Sequence, residues 1–176
     1  MLYVKSVAAD GYKVQGEEGR IELTCAEAAA VTEKTVTFDL TNIDDFSKWG
    51  NSYGSHTVTK DEANIIFAAA SKQTTNITDC PVTKGSDIEV VLNNSKAQIT
   101  AITITLKQWA KKTQTATLNY STDGGKNYKT TNPSTTSSTF TLSSSNLPEG
   151  TNAVKVTFSS KSNQVGCQKI EMTYVE

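Results

Sequence analysis

The sequence predicts an all-β chain: a two-sheet antiparallel β-sandwich, jelly-roll-like, over residues 35–176, with an N-terminal β-hairpin appendage and linker over residues 1–34. Three observations predict it. Apolar and polar residues alternate with period two in most of the extended runs, turn-forming residues separate those runs, and no long amphipathic helix pattern stands between them. At 176 residues the chain has room for one sizeable sandwich but not for two full domains.

The strands follow in order. TVTFDLT at 35–41 puts Val36, Phe38 and Leu40 on one face. SDIEVVL at 86–92 and QITAITITLKQW at 98–109 repeat the pattern, the latter setting Ile102, Ile104 and Leu106 against Thr103, Thr105 and Lys107. QTATLNYS (114–121), STFTLS (138–143), NAVKVTFSS (152–160) and QKIEMTYV (168–175) complete the set, with β-branched and aromatic residues at inward positions. Turns are expected at Asn93-Asn94, Asp123-Gly124-Gly125, Asn132-Pro133 and Pro148-Glu149-Gly150. The polar run TTNPSTTSSTFTLSSS reads as a loop followed by a strand at an exposed edge.

The first 34 residues differ. Short strands are expected at 2–7, 12–15 and Arg20–Thr24, followed by the Ala- and Glu-rich CAEAAAVTEK. Thr24 and Glu27 have the spacing of a capping box, which leaves a helical turn and an ordered linker both open. A small hairpin cannot satisfy its own edges, so this segment is the expected docking element.

Charge and cysteine content narrow the function. Seventeen basic against 18 acidic side chains give no global field that would recruit nucleic acid. Lys107, Lys111 and Lys112 around Trp109 read as a solvated rim. No apolar run approaches the roughly 20 residues needed to span a bilayer. Cys25, Cys80 and Cys167 are widely spaced without a CxxC pattern, as ordinary buried thiols are, and a Cys80–Cys167 bridge is open only in an oxidising setting.

No enzyme is expected. His56 is the sole histidine and stands in SHTVTK with no nucleophile elbow nearby. Asp44-Asp45, Asp61-Glu62 and Glu17-Glu18 are adjacent pairs, which point to opposite faces in a strand and read as solvated turns. No cofactor is expected; a structural calcium held by Asp39, Asp44 or Asp45 with backbone carbonyls is the minority alternative. The candidate ligand residues are Trp49 and Tyr53, in the Gly-, Ser- and Asn-rich loop FSKWGNSYGSH. The competing reading makes Trp49 a cap on the core.

In NYSTDGGKNY, residues Ser121, Asp123, Gly125 and Tyr128 fit S-x-D-x-G-x-x-aromatic, which resembles an Asp-box hairpin. Its physics is local: the carboxylate accepts backbone N–H groups, a glycine takes positive φ, and the tyrosine packs back on the next strand. A turn role without direct ligand contact is expected.

With the FDLTN opening strand (38–42) and the passage LPEGTNAVKVTF (147–158), residues 35–176 resemble jelly-roll, galactose-binding-like modules in surface proteins of anaerobic gut bacteria and their phages. The resemblance implies binding or structural roles, with carbohydrate the usual ligand, and carries no fixed set of functional residues. Met1 followed by no secretion-signal pattern leads to the expectation of a non-enzymatic virion-surface protein: a phage capsid auxiliary, decoration or fibre-associated protein, docked to other virion or surface proteins through residues 1–34. The alternative is a carbohydrate-binding or adhesive module of a bacterial surface protein, on the cell surface or secreted.

Overall fold

The computed structural model describes residues 31–41, 43, 48–72, 77–108, 114–136, 139–145 and 147–176. The chain divides into two units, Met1–Ala30 and Val31–Glu176. The first lies outside the described residues, and with it the strands expected at 2–7, 12–15 and 20–24, the Thr24–Glu27 pair, Cys25 and most of the expected docking element.

The second unit is all-β and antiparallel. Its strands are β1 (Glu33–Asp39), β2 (Gly54–Thr59), β3 (Ala63–Ser71), β4 (Val82–Thr83), β5 (Ile88–Leu92), β6 (Gln98–Gln108), β7 (Thr115–Ser121), β8 (Lys129–Thr136), β9 (Thr139–Ser144), β10 (Ala153–Phe158) and β11 (Val165–Val175). One hydrogen-bonded path runs β8-β7-β10-β5-β3-β4-β11-β6-β9, with β2 added on β3 and β1 on β11. The path folds back at β4, only two residues long, which pairs Ala70 and Ser71 of β3 as well as Val165 and Gly166 of β11. A larger sheet, β2-β3-β5-β10-β7-β8, and a smaller one, β1-β11-β6-β9, therefore meet at this corner. The chain changes sheets again between β8, which pairs β7, and β9, which pairs β6.

Register explains the core. In the larger sheet Phe67, Ile88, Val156 and Leu118 stand in one cross-strand row. In the smaller, Phe38, Ile170, Ile104 and Leu142 do the same. All eight belong to one buried cluster, each at 1% exposure or less, and burying a side chain of this size contributes about 1.5–3 kcal/mol. Alternation thus fills the space between the sheets, with Phe67 of β3 added to residues whose strands the sequence pattern shows.

One expected turn is instead part of a strand, β3 was not among the strands read from the sequence, and the two described cysteines are the ordinary buried thiols expected. Asn132-Pro133, expected in a turn, lies within β8, where proline's missing N–H costs no central ladder bond because β8 ends the hydrogen-bonded path. β3, ANIIFAAAS, loses strict alternation at its alanine end, where both Ala70 and Ser71 are buried. Cys80 and Cys167 are free thiols in separate clusters: Cys167 lies in the main core, while Cys80 packs with Ile77 and Val82. Gly166 makes room for Cys80, since a Cβ there would meet its Sγ at 2.6 Å. Burial pushes the Cys80 thiol up to about 12 and Cys167 well above the ordinary value.

Lys60, at the turn between β2 and β3, reaches the opposite sheet. Its Nζ donates to the Thr37 carbonyl of β1 at 2.7 Å and stands 5.2 Å from the centre of the Phe38 ring. Among the described residues no helix is long and apolar enough to cross a membrane.

The β4–β5 turn is tightly fitted. The Thr83 hydroxyl accepts from Ser86 N and donates to Ser86 O, and Gly85 sits at φ +66°. A Cβ on Gly85 would run into the Ser160 carbonyl and come within 2.9 Å of Lys161 Cα. Gly85→Ala is therefore expected to cost at least about 2 kcal/mol in urea unfolding. A change within about 0.5 kcal/mol would show that the turn gives way freely.

Candidate functional site

The outward positions of the larger sheet form rows as regular as the core. One row runs Thr57, Ile66, Glu89, Lys155, Asn119, Thr130 across β2, β3, β5, β10, β7 and β8. Asn119 ties its end together: its amide donates to Lys155 O and Thr157 Oγ1, both at 3.2 Å, and its Oδ1 accepts from Thr130 Oγ1 at 3.0 Å. At the centre, Lys155 Nζ pairs with Glu89 Oε1 at 3.1 Å.

The β7–β8 hairpin brings an aromatic ring to this centre. Ser121 Oγ donates to Asp123 Oδ1 at 2.6 Å and accepts from the N–H groups of Asp123 and Gly125. Asp123 Oδ1 also accepts from Lys126 N and Asn127 N, and Oδ2 accepts from Asn127 Nδ2 at 2.7 Å. The carboxyl is held well below the ordinary carboxylate range, first by the Ser121 hydroxyl and then by the Asn127 amide and backbone N–H. Gly124 and Gly125 take φ +72° and +83°. This closed turn places Tyr128 on the outward face beside Ser121.

Tyr128 does not pack on the start of β8, as the sequence suggested. It lies across β10 toward β5: Lys155 Nζ stands 3.9 Å from its ring centre, and its hydroxyl donates to Glu89 Oε2 at 3.4 Å. Gly125 permits this, because a Cβ there would meet the phenol oxygen at 2.9 Å. Burial, then the charge of Glu89, raises the phenol above its ordinary value, so it remains an O–H donor through the neutral range. Ring, ammonium and carboxylate are all half-buried and meet at one point on a face otherwise rich in Thr and Asn.

The residues singled out from sequence fall elsewhere. Trp49 is 8% exposed and sits in the core, one face stacked on His56 (centroids 3.9 Å, 9° between planes) and edge-on to Phe67 at 5.6 Å. The exposed-indole placement does not hold; the core-cap placement does, because β2 and β3 bring His56 opposite Phe67 beneath the loop. His56 is half-buried by the same stack. Tyr53 is half-buried, its hydroxyl accepting from Gln164 Nε2 at 3.2 Å. Asp39 Oδ1 is engaged by Thr41 N and Oγ1 at 3.0 and 2.6 Å, which lowers its pKa. Asp44, Asp45, Trp109, Lys111 and Lys112 lie outside the described residues. Among those described, no group of three or more His, Cys, Asp or Glu side chains is placed to hold a metal ion. Lys107 pairs with Asp79 at 3.0 Å.

No family model matches the chain, and no curated protein does. Solved structures resemble it distantly. A mutant of a carbohydrate binding module of family 29 is 10% identical at TM-score 0.40, covering 81% of this chain and 92% of its own. A family 29 carbohydrate binding module from Piromyces equi is 9% identical at TM-score 0.39, covering 82% and 91%. A third, a family 29 mutant complexed with mannohexaose, is 9% identical at 0.37, covering 82% and 93%. Likenesses this distant carry no argument about ligand.

Two outcomes follow from the hairpin. Ser121 is 2% exposed, and Ser121→Ala leaves two turn N–H groups without their acceptor, so it should cost about 1–3 kcal/mol in chemical unfolding. A neutral effect would show that the turn does not depend on this hydroxyl. Because the folded pKa of Asp123 is depressed, its stabilisation is complete above the unfolded value of about 4 and is lost as pH falls through the folded value. Thermal melts should therefore weaken steadily below about pH 4, with a shallower slope in Asp123→Asn. Equal slopes would assign the acid sensitivity to other carboxylates.

Proposed function

We propose that the chain is a non-catalytic carbohydrate-binding module and that the outward face of the larger sheet receives the glycan. The observation that carries this reading is the meeting of Tyr128, Lys155 and Glu89: a ring 3.9 Å from an ammonium and a hydroxyl 3.4 Å from a carboxylate. A sugar presents apolar C–H faces and a rim of hydroxyls that both donate and accept. A half-buried ring beside one strong donor and one strong acceptor answers both needs. Asn119, fully engaged in its own hydrogen bonds, fixes the backbone under Lys155, so the polar groups are held before a ligand arrives. The distant likeness to carbohydrate binding modules agrees with this reading but does not bear its weight. The docking role expected for residues 1–34 falls mostly on residues 1–30, which lie outside the described residues.

Affinity electrophoresis through gels holding β-glucan, mannan, xylan or pectin is the direct test. The full chain is expected to be retarded by at least one of the four. Tyr128→Ala and Lys155→Ala should each weaken that retardation at least about tenfold, the equivalent of ~1.4 kcal/mol, while circular dichroism of both stays native. Retardation by none of the four would remove the carbohydrate reading. Undiminished retardation of both variants would move the site off this face.

A further inference from the structure

A second feature of the hairpin lies on its other flank. Strand alternation turns Ser121 and Tyr128 toward the sheet's outward face and their neighbours Tyr120 and Lys129, themselves cross-strand partners, to the opposite side. Around the turn a cavity of about 250 Å³ opens, lined by Tyr120, Ser121, Thr122, Asp123, Asn127 and Lys129. Drug-sized ligands fill pockets upward of roughly 300 Å³, so this one suits a single ring and not a chain. We propose that it binds one neutral pyranose, at the end of a glycan or as a free sugar, through two adjacent hydroxyls.

The chemistry of the lining selects this class. Asp123 Oδ1 is saturated by Ser121, Lys126 and Asn127, whereas Oδ2 accepts, among the described residues, only from Asn127 Nδ2 and keeps acceptor capacity. The turn's donors keep that carboxylate ionised. Lys129 is exposed and has no ion-pair partner among the described residues. One wall thus offers a charged acceptor and another a charged donor. A vicinal diol matches such a pair, since one hydroxyl can give its proton to Asp123 while its neighbour accepts from Lys129. Asp123 and Lys129 offset each other, so the lining gives neither an acidic nor a cationic sugar a net electrostatic advantage and suits the neutral ring. Tyr120, partly buried against the core, supplies a rigid apolar wall for the C–H face. This site does not depend on the outward face, because its lining and the Tyr128, Lys155 and Glu89 group share no side chain.

The test is an NMR titration of the full chain, labelled with nitrogen-15, with methyl glucoside, methyl galactoside, methyl mannoside and glucuronate in turn. At least one neutral glycoside is expected to give saturable shifts at the Thr122, Gly124 and Asn127 amides. Lys129→Ala, at an exposed position, should weaken that binding at least about tenfold, and Asp123→Asn, which keeps an acceptor oxygen in the turn, should weaken it as well. Absence of saturable shifts at these amides for every neutral glycoside would overturn the proposal. So would unchanged binding in Lys129→Ala, or tighter binding of glucuronate than of any neutral glycoside. Loss of gel retardation by the outward face leaves all these readouts unaffected, so the two readings fail separately.

Discussion

Everything on the surface of this sandwich is set by what its interior must hold. Once Phe67, Ile88, Val156 and Leu118 occupy one row facing Phe38, Ile170, Ile104 and Leu142 in the other sheet, the positions between them can only point outward. Thr57, Ile66, Glu89, Lys155, Asn119 and Thr130 are aligned because their inward neighbours are aligned. A slip of one residue in β5 or β10 would bury Glu89 or Lys155 and expose an aliphatic side chain together. The outward row is therefore as rigid in position as the core, though its side chains meet solvent.

The hairpin converts that rigidity into a local arrangement. Ser121 and Asp123 close the turn among residues no more than four apart, and Asn152 supports it from the loop before β10 by accepting from Gly124 N at 2.8 Å. Its product is long-range: Tyr128 reaches Glu89, 39 positions away in sequence. The same turn, by alternation, faces Tyr120 and Lys129 to its other side. A single short-range motif thus positions groups on both flanks, and the glycines at 124 and 125 are what allow the chain to turn so tightly.

This division explains what was legible in the sequence. Strands with clean alternation, such as QITAITITL and NAVKVTF, were readable because their period is a local property. So was the turn at Asp123. β4 was not readable, since two residues, Val82 and Thr83, carry no period, yet they join the two sheets. Pro133 misled because a turn and an edge strand accept proline equally well. The partners of Tyr128 could not be read because they lie on β5 and β10, and their nearness depends on strand order. Loop composition alone leaves Trp49 open to two readings, ligand platform and cap on the core. Only the pairing of His56 with Phe67 beneath it reveals that the indole is covered.

Lys60 bears on how the molecule meets its own copies. The Thr37 carbonyl it holds belongs to the side of β1 turned away from β11, the side on which a foreign strand would add. An ammonium seated there offers no acceptor and must lose its own bond before a new ladder can start. Strand addition at this margin, the common first step toward aggregates of sandwich proteins, is met by a charge anchored from the opposite sheet. Copies of this chain held close together can in this way pack side by side without their sheets fusing.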